Sequence, residues 1–498
     1  MLKLLRAMAA TGGASGVTLL LGLATNKIIA VVLGPTGVGL LASYRVVQDV
    51  VTGLGSLGGA GTQVQALSSV DGEARRGRVV ASMWLALAGM ALFTVLLLTA
   101  APLIAEHFFR DPSPEIVTAV RCLAVTFCVS VSAMLTMAFV NVSGALGLLA
   151  LVQIGASLAA LAAAWPLAVL AAGGSQLAYV GMILVPLAVQ FALAAFMSWR
   201  LGWLPLVGAA FRHCPARADV LHFLTYFAAH LGGGLVSAAS MLALRAAIIE
   251  TQGQTANGLF QASWTLTQHN LTLLMASFGT YLLPTLSATH DAGDRRRFLD
   301  ETLPLIIVLT VPLAGVGLLF MPLILRVLYS ADFLPAIALL RWMLLANLFS
   351  ACVAVFAILL LARGRPMISA ATEIGWYAGF AGCSVAVLAG VIDVGWMGLQ
   401  PLEAVGAAFF ALHGLRLACL VAFCRKTMDY APDAVVWRTG AIGFALLLLA
   451  AIVGWSAQEV NWAVSLPGAL LLCLTPLLLL NRPRLTRLRT LLRTRFGS

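Results

Sequence analysis

Fourteen apolar stretches, each long enough to cross a bilayer, follow one another along this chain with only short polar breaks. They lie near 10–33, 37–67, 79–105, 116–140, 148–171, 177–198, 220–249, 257–287, 302–325, 335–361, 367–391, 402–424, 435–454 and 463–480. A spanning helix needs about 20 mainly apolar residues, because the hydrocarbon core is about 30 Å thick. Within lipid every backbone N–H and C=O must be bonded inside the protein, so only helices and closed barrels cross it. Runs of this length select helices, and the chain is expected to be an all-α polytopic membrane protein. Its charge content agrees: 10% of the 498 residues are charged, against about 25% in soluble domains. The first run, behind Lys3 and Arg6, is too long for the core of a signal peptide and reads as the first spanning helix.

Alternate loops differ sharply in charge. One side carries Lys3, Arg6, Arg75, Arg76, Arg78, Arg200, Arg212, Arg217, Arg295–Arg297, Arg363, Arg365, Arg425, Lys426 and six tail arginines from Arg482 to Arg495. The other carries only Arg110 and Arg326. The positive-inside rule makes the first side cytoplasmic. The chain is thus expected in a bacterial inner membrane with both termini in the cytoplasm. The basic tail reads as an anchor on anionic membrane lipid, so the net charge of +11 does not point to nucleic acid.

The longest connection is 199–219, so no soluble domain is expected and the work must be done within the membrane. The eight cysteines are scattered without a CxxC pair and read as small apolar helix residues. No P-loop, HExxH, GxSxG or His/Cys cluster occurs. Neither a cofactor nor an enzymatic activity is expected. Gly53–Gly58 fits GxGxxG, yet it lies in an apolar run with no strand before it. Close packing of helices by small residues is the better reading there, and at Gly232–Gly234.

Residues 42–49 read Ala-Ser-Tyr-Arg-Val-Val-Gln-Asp, and 262–269 read Ala-Ser-Trp-Thr-Leu-Thr-Gln-His. Gly59 and Gly279 keep the same offset, and the preceding helix carries Lys27 in one copy and Arg245 in the other. The repeat implies two six-helix lobes, 1–219 and 220–425, related by a pseudo-two-fold axis along the membrane normal. Residues 426–498 add a helix pair and the basic tail. Parallel repeats of this kind are a transporter signature, with the substrate site between the halves.

Ions inside the membrane locate that site. A charge at the bilayer centre costs about 2.5–3.5 kcal/mol or more, so such residues usually face a cavity. The cations in spans are Lys27, Arg45, Arg121, Arg245, Arg341 and Arg416, and the clear anions are Asp49 and Glu373. An excess of cations suits an anionic substrate. Arg121 and Arg341, near helix ends, are expected to snorkel to the interface. Arg45 is about 12 Å into its helix and one turn from Asp49. A structural ion pair and a cavity-lining pair both remain open for them. His269 stands at the repeat position of Asp49, and His230 at similar depth; each is either a proton relay or a hydrogen-bonded core residue. His413 and Arg416 share a helix face. The expected substrate contacts are Lys27, Arg45, Gln48, Arg245, Gln268 and Arg416, with Asp49, His230 and His269 for ion coupling.

The stretch Asn26-Lys27-Ile-Ile-Ala-Val-Val-Leu-Gly34-Pro35-Thr-Gly37-Val-Gly39-Leu resembles the first hairpin of the Wzx-type polysaccharide flippases of the MOP superfamily. Tyr281-Leu-Leu-Pro284-Thr-Leu-Ser287 is similar to the end of their eighth helix. The resemblance covers about residues 1–425; the last helix pair departs from a twelve-helix version of the family. It implies transport of undecaprenyl-pyrophosphate-linked oligosaccharides by alternating access. Polysaccharide polymerase and chain-length proteins would be partners. The length and start also resemble flippases of xanthan-type exopolysaccharide systems, whose repeat units are acidic. A MOP multidrug or ion antiporter is the alternative, but it would favour an acidic cavity. A membrane glycosyltransferase or ligase would need a sizeable catalytic loop.

Overall fold

The computed structural model describes residues 2–474 apart from 57–58, 69–71, 204, 206, 209–211, 289–290, 429 and 455–459. Side chains are described from residue 16, apart from 59–62, 65, 146, 222, 226–233, 273–281, 283–285, 288 and 292. The basic tail, the His230 side chain and most of the Tyr281–Ser287 motif therefore lie outside the described residues.

Among the described residues the chain is helical, with no strand. The helices are α1 (Leu2–Gly55), α2 (Gly59–Ser68), α3 (Gly72–Ile104), α4 (Pro114–Val142), α5 (Leu146–Ala172), α6 (Gln176–Arg200), α7 (Arg217–Ala288), α8 (Ala292–Leu319), α9 (Met321–Leu328), α10 (Ile337–Ala362), α11 (Pro366–Leu388), α12 (Pro401–Thr427), α13 (Ala434–Val453) and α14 (Trp462–Cys473). Local chemistry sets several starts. Proline opens α4, α11 and α12, where its missing N–H costs no helical bond. Asp291 and Asp433 cap α8 and α13, accepting from the backbone N–H of Asp294 (2.9 Å) and Val436 (2.8 Å).

Each of the fourteen apolar stretches falls on a helix as far as the described residues reach. Ten segments among those residues are long and apolar enough to cross a membrane. Two of them bend and account for two expected helices each. α1 breaks at Gly34 (φ 62°, ψ −171°) and α7 at Gly253 (φ 83°, ψ 174°). Both conformations belong to glycine alone among L-residues. At the first break Pro35 also removes a helical N–H. The expected helix 37–67 is shorter than its apolar run, ending at Gly55 before α2. A Cβ on Gly55 would strike Phe127, and one on Gly89 would strike the Gly55 carbonyl. Gly55 thus packs helices closely, as the sequence implied, whereas Gly53 and Gly234 have open space beside them.

By contact the chain forms two compact units, Met1–Gly258 and Leu259–Ser498. This division falls later than 219/220, the lobe boundary inferred from the repeat. The arm 217–252 of α7 is held in the first unit, where Glu250 forms an ion pair with Arg110 beyond the end of α3. In the second unit α8 and α10 are the most buried spans. α10 is mostly apolar all round and encased, as a helix without a polar face must be.

Candidate substrate site

In the first unit the breaks at Gly34 and Gly253 start two helical arms that cross at close range. Thr36 and Thr255 meet hydroxyl to hydroxyl at 2.8 Å. A Cβ on Gly39 would strike the Gln254 carbonyl, and one on Gly258 would strike that of Pro35. The three pairs 34/253, 36/255 and 39/258 share an offset of 219, so the crossing is locally two-fold. Asn257 breaks the symmetry. Its Nδ2 donates to the Gly39 carbonyl (2.8 Å) and Ser43 Oγ (3.0 Å), and its Oδ1 accepts from Arg245 Nη1 at 2.9 Å.

The offset of 219 at the breaks and of 220 at the Ala-Ser block differ by one residue. One helical residue is about 100° of rotation. Counted from the breaks, Asp49 corresponds to Gln268 and not to His269. The equivalence of His269 with Asp49 is thus replaced by an extra residue between Gly258 and Ala262. α7 also runs unbroken through Gly279, whereas the matching stretch near Gly59 begins a new helix.

Past the crossing, Arg45 is half-buried and Asp49 accessible on the same face of α1. Asp49 lies in the field of both Arg45 and Arg245. Two guanidiniums around one carboxylate leave a net positive centre. Arg45 is 10 residues past Pro35, about 15 Å along the axis. Arg245 is fully buried and held by Asn257. Lys27 is half-buried in the preceding arm. Gln48 is buried in the packing: it accepts from Thr126 Oγ1 and donates to Thr52 Oγ1. Both ends of its amide are engaged within the unit.

The second unit carries a separate group. Trp264, Phe380, Phe409 and Trp376 form a continuous aromatic cluster with centroids 5.4–6.5 Å apart. His413 is wedged between Trp376 and Phe409, 4.3 Å from each, with Nδ1 donating to the Phe409 carbonyl at 3.0 Å. Arg416 lies in the field of Glu373 and Tyr377. The buried Trp376 Nε1 has no hydrogen-bond partner. Gln268 and His269 are half-buried, and His269 Nδ1 donates to the Thr265 carbonyl at 2.7 Å. Arg341 does not snorkel. It is 4% exposed and paired with Glu403, which also accepts from Trp342 Nε1 at 3.2 Å. The snorkelling expectation failed because it ignored a carboxylate on the neighbouring helix. Arg121 is exposed.

Sequence reasoning passed over Asn257, Trp376, Tyr377 and Glu403. Asn257 carries a signal of its own, a polar side chain between two glycines of the repeat motif. Among the described residues no group of three or more His, Cys, Asp or Glu could hold a metal ion.

A family model described as "Polysaccharide biosynthesis protein" matches residues 28–338. No curated protein matches the chain at the sequence level. Among solved structures, the lipid II flippase MurJ in an inward closed conformation is similar at TM-score 0.68 and 14% identity, over 93% of this chain and 97% of that one. An inward-facing multidrug resistance MATE family transporter of the MOP superfamily is similar at 0.65 and 14%, over 82% and 96%. A MOP superfamily transporter from Pyrococcus furiosus, reported with reversed binding-pocket polarity, is similar at 0.60 and 14%, over 85% and 95%. At these identities the likeness is one of fold.

Proposed function

The chain belongs to the polysaccharide biosynthesis protein family and has a MOP-superfamily fold, and we propose that it is a flippase for undecaprenyl-pyrophosphate-linked oligosaccharide repeat units. It carries them from the cytoplasmic to the periplasmic leaflet of the inner membrane, for exopolysaccharide or O-antigen assembly, by alternating access. The observation that carries this reading is the positive centre formed by Arg45 and Asp49 of α1 with Arg245 of α7, all within membrane spans. Fold alone does not choose between a multidrug transporter and a lipid-linked flippase, because the MATE and MurJ structures are about equally similar. Charge does choose. Two cations to one anion attract pyrophosphate or uronate and repel a cationic drug.

In this reading Arg45 meets the phosphate directly, helped by Lys27. Arg245 contributes its field from behind Asn257. Arg416 and Gln268 are further substrate contacts, and Gln48 holds the frame around Arg45. Asp49 and His269 are the groups for ion coupling, with His230 as a further candidate. Polymerase and chain-length proteins act on the product.

The test is polymer yield, normalised to the amount of protein in the membrane. A clean deletion should stop polymer formation and leave lipid-linked oligosaccharide on the cytoplasmic leaflet. The double change Arg45→Leu with Asp49→Leu removes both charges of the pair, so it should insert normally and still fail to transport. Arg45→Lys should keep part of the activity, since a point charge still meets phosphate without the bidentate fork. Full yield from the double variant would remove this pair from the site.

A further inference from the structure

The first unit contains a cavity of about 290 Å³ among α3, α4, α6, Trp203 and Val207. Met83, Met90, Leu135, Phe139, Phe191 and Trp203 are among the residues that line it. Its polar groups are already engaged. Ser132 Oγ donates to the Cys128 carbonyl (2.8 Å), Thr136 Oγ1 to that of Ser132 (2.9 Å), and Ser198 Oγ to that of Thr136 (3.1 Å). Trp203 Nε1 donates to Ser143 Oγ at 2.8 Å. A buried water needs two to four polar partners, and this mainly apolar wall, with its hydroxyls turned to their own backbone, holds few. Its size approaches the about 300–1,000 Å³ of small-molecule sites. The occupant that fits is apolar.

The mouth shows where that occupant comes from. Leu87 and Trp199 line the cavity yet are 40% and 57% exposed. Below them on α3, Leu92, Val95 and Leu96 are also exposed, a surface suited to lipid tails. The rim is basic. Arg76, Met83, Leu87 and Met90 are spaced by seven, four and three residues and form one stripe of α3. Arg76 thus stands two turns, about 10 Å, outside Met83. Its Nη2 lies 3.2 Å from His213 Nε2, and Trp84 Nε1 donates to the His213 carbonyl at 3.3 Å. Arg200 follows Trp199 and lies over the Phe196 ring, 5.1 Å from its centroid. Arg75, Arg78, Arg212 and Arg217 share this end, against Glu73 and Asp219.

We propose that this cavity binds an anionic phospholipid of the leaflet at the basic end, with one acyl chain inside and the phosphate against Arg76 and Arg200. Nothing in this assignment depends on the cargo. It depends on an apolar crevice under a cationic rim.

Full-length protein in phosphatidylethanolamine vesicles, with phosphatidylglycerol carrying a diazirine near the end of one acyl chain, tests it. Photolabelling should concentrate on the peptides of Met83, Met90 and Phe139. Unlabelled phosphatidylglycerol should compete, and phosphatidylethanolamine should not. Ala86→Phe, which fills the cavity, should cut labelling there by about tenfold. Ala195→Phe gives a second filling variant should the first fail to fold. Arg76→Gln with Arg200→Gln, both outside the core, should abolish the preference for the anionic probe. Equal labelling by a phosphatidylethanolamine probe, or label spread evenly over the lipid-facing surface, would overturn the assignment. So would a cavity labelled by a polyprenyl phosphate probe that phosphatidylglycerol does not displace; the pocket would then hold a cargo tail.

Discussion

Arg341 and Arg45 are both arginines in membrane spans, and their surroundings give them different work. Arg341 is enclosed with Glu403, which also takes a hydrogen bond from Trp342. Removing one partner strands the other charge in a dry site, at about 3–5 kcal/mol. Arg341→Leu should therefore lower the thermal unfolding temperature in detergent markedly, and Arg341→Leu with Glu403→Leu should recover most of it. A double variant as unstable as the single one would mean the pair is not what matters. Tyr430 makes a similar case at the other end of the second unit. Its hydroxyl donates to Asp300 Oδ1 at 2.9 Å, and burial, with Asp300 beside it, pushes the phenol up and keeps it protonated. Tyr430→Phe should cost about 1.5–3 kcal/mol, the range for a hydrogen bond to a charged acceptor, read from the same unfolding curves. The charges themselves were legible in the sequence, because each interrupts an apolar run. Their partners were not. Arg341 and Glu403 are 62 residues apart, and only the packing of α10 against α12 brings them together.

At the scale of elements, the two broken helices are the most informative. The Gly-Pro-x-Gly-x-Gly turn at 34–39 was readable, since Gly34 and Pro35 together end a helix. The matching break at Gly253 has no proline and was placed only by the gap between two apolar stretches. The one-residue shift after Gly258 was invisible, because an extra residue within an apolar helix leaves the pattern apolar. It matters nonetheless, since it exchanges Gln268 for His269 as the counterpart of Asp49. The crossing itself gives a prediction. A methyl group at Gly258 or Gly39 meets a carbonyl oxygen of the other arm, a position no flexible side chain can vacate. Gly258→Ala should push the arms apart and weaken the Asn257 bonds to Gly39 and Ser43. Thr36→Cys with Thr255→Cys should form a disulfide under mild oxidation, because the native hydroxyls are 2.8 Å apart. Gly258→Ala in that background should slow the cross-link. If transport requires the arms to separate, oxidation should stop polymer formation and a reductant restore it. Full transport by the oxidised protein would mean that the crossing stays closed throughout the cycle.

At the scale of the whole molecule, the apolar runs predicted the all-helical, membrane-spanning architecture, because lipid leaves the backbone few alternatives. The division into units was less legible. The repeat suggests a boundary at 219/220, whereas the contacts divide at 258/259, because the arm 217–252 packs within the first unit. Orientation rests on charge alone. Counted by alternate spans along the sequence, Arg75–Arg78 and Arg295–Arg297 are expected on one side, and Glu250 and Asp393 on the other. Arginine is held back on the cytoplasmic side during insertion, which sets the expected result. In a cysteine-free background, Asp393→Cys and Glu250→Cys should react with an impermeant thiol reagent on intact cells. Arg296→Cys should react only after permeabilisation, as should native Cys214 restored alone, which is exposed in the basic 201–216 connection. Glu250→Cys breaks the ion pair with Arg110, but that pair is about half exposed and worth at most about 1 kcal/mol, so insertion should be normal. Labelling of Arg296→Cys on intact cells would invert the orientation. The positive centre of Arg45, Asp49 and Arg245 would then have to be reached from the opposite leaflet, and the direction of transport proposed for this chain would reverse with it.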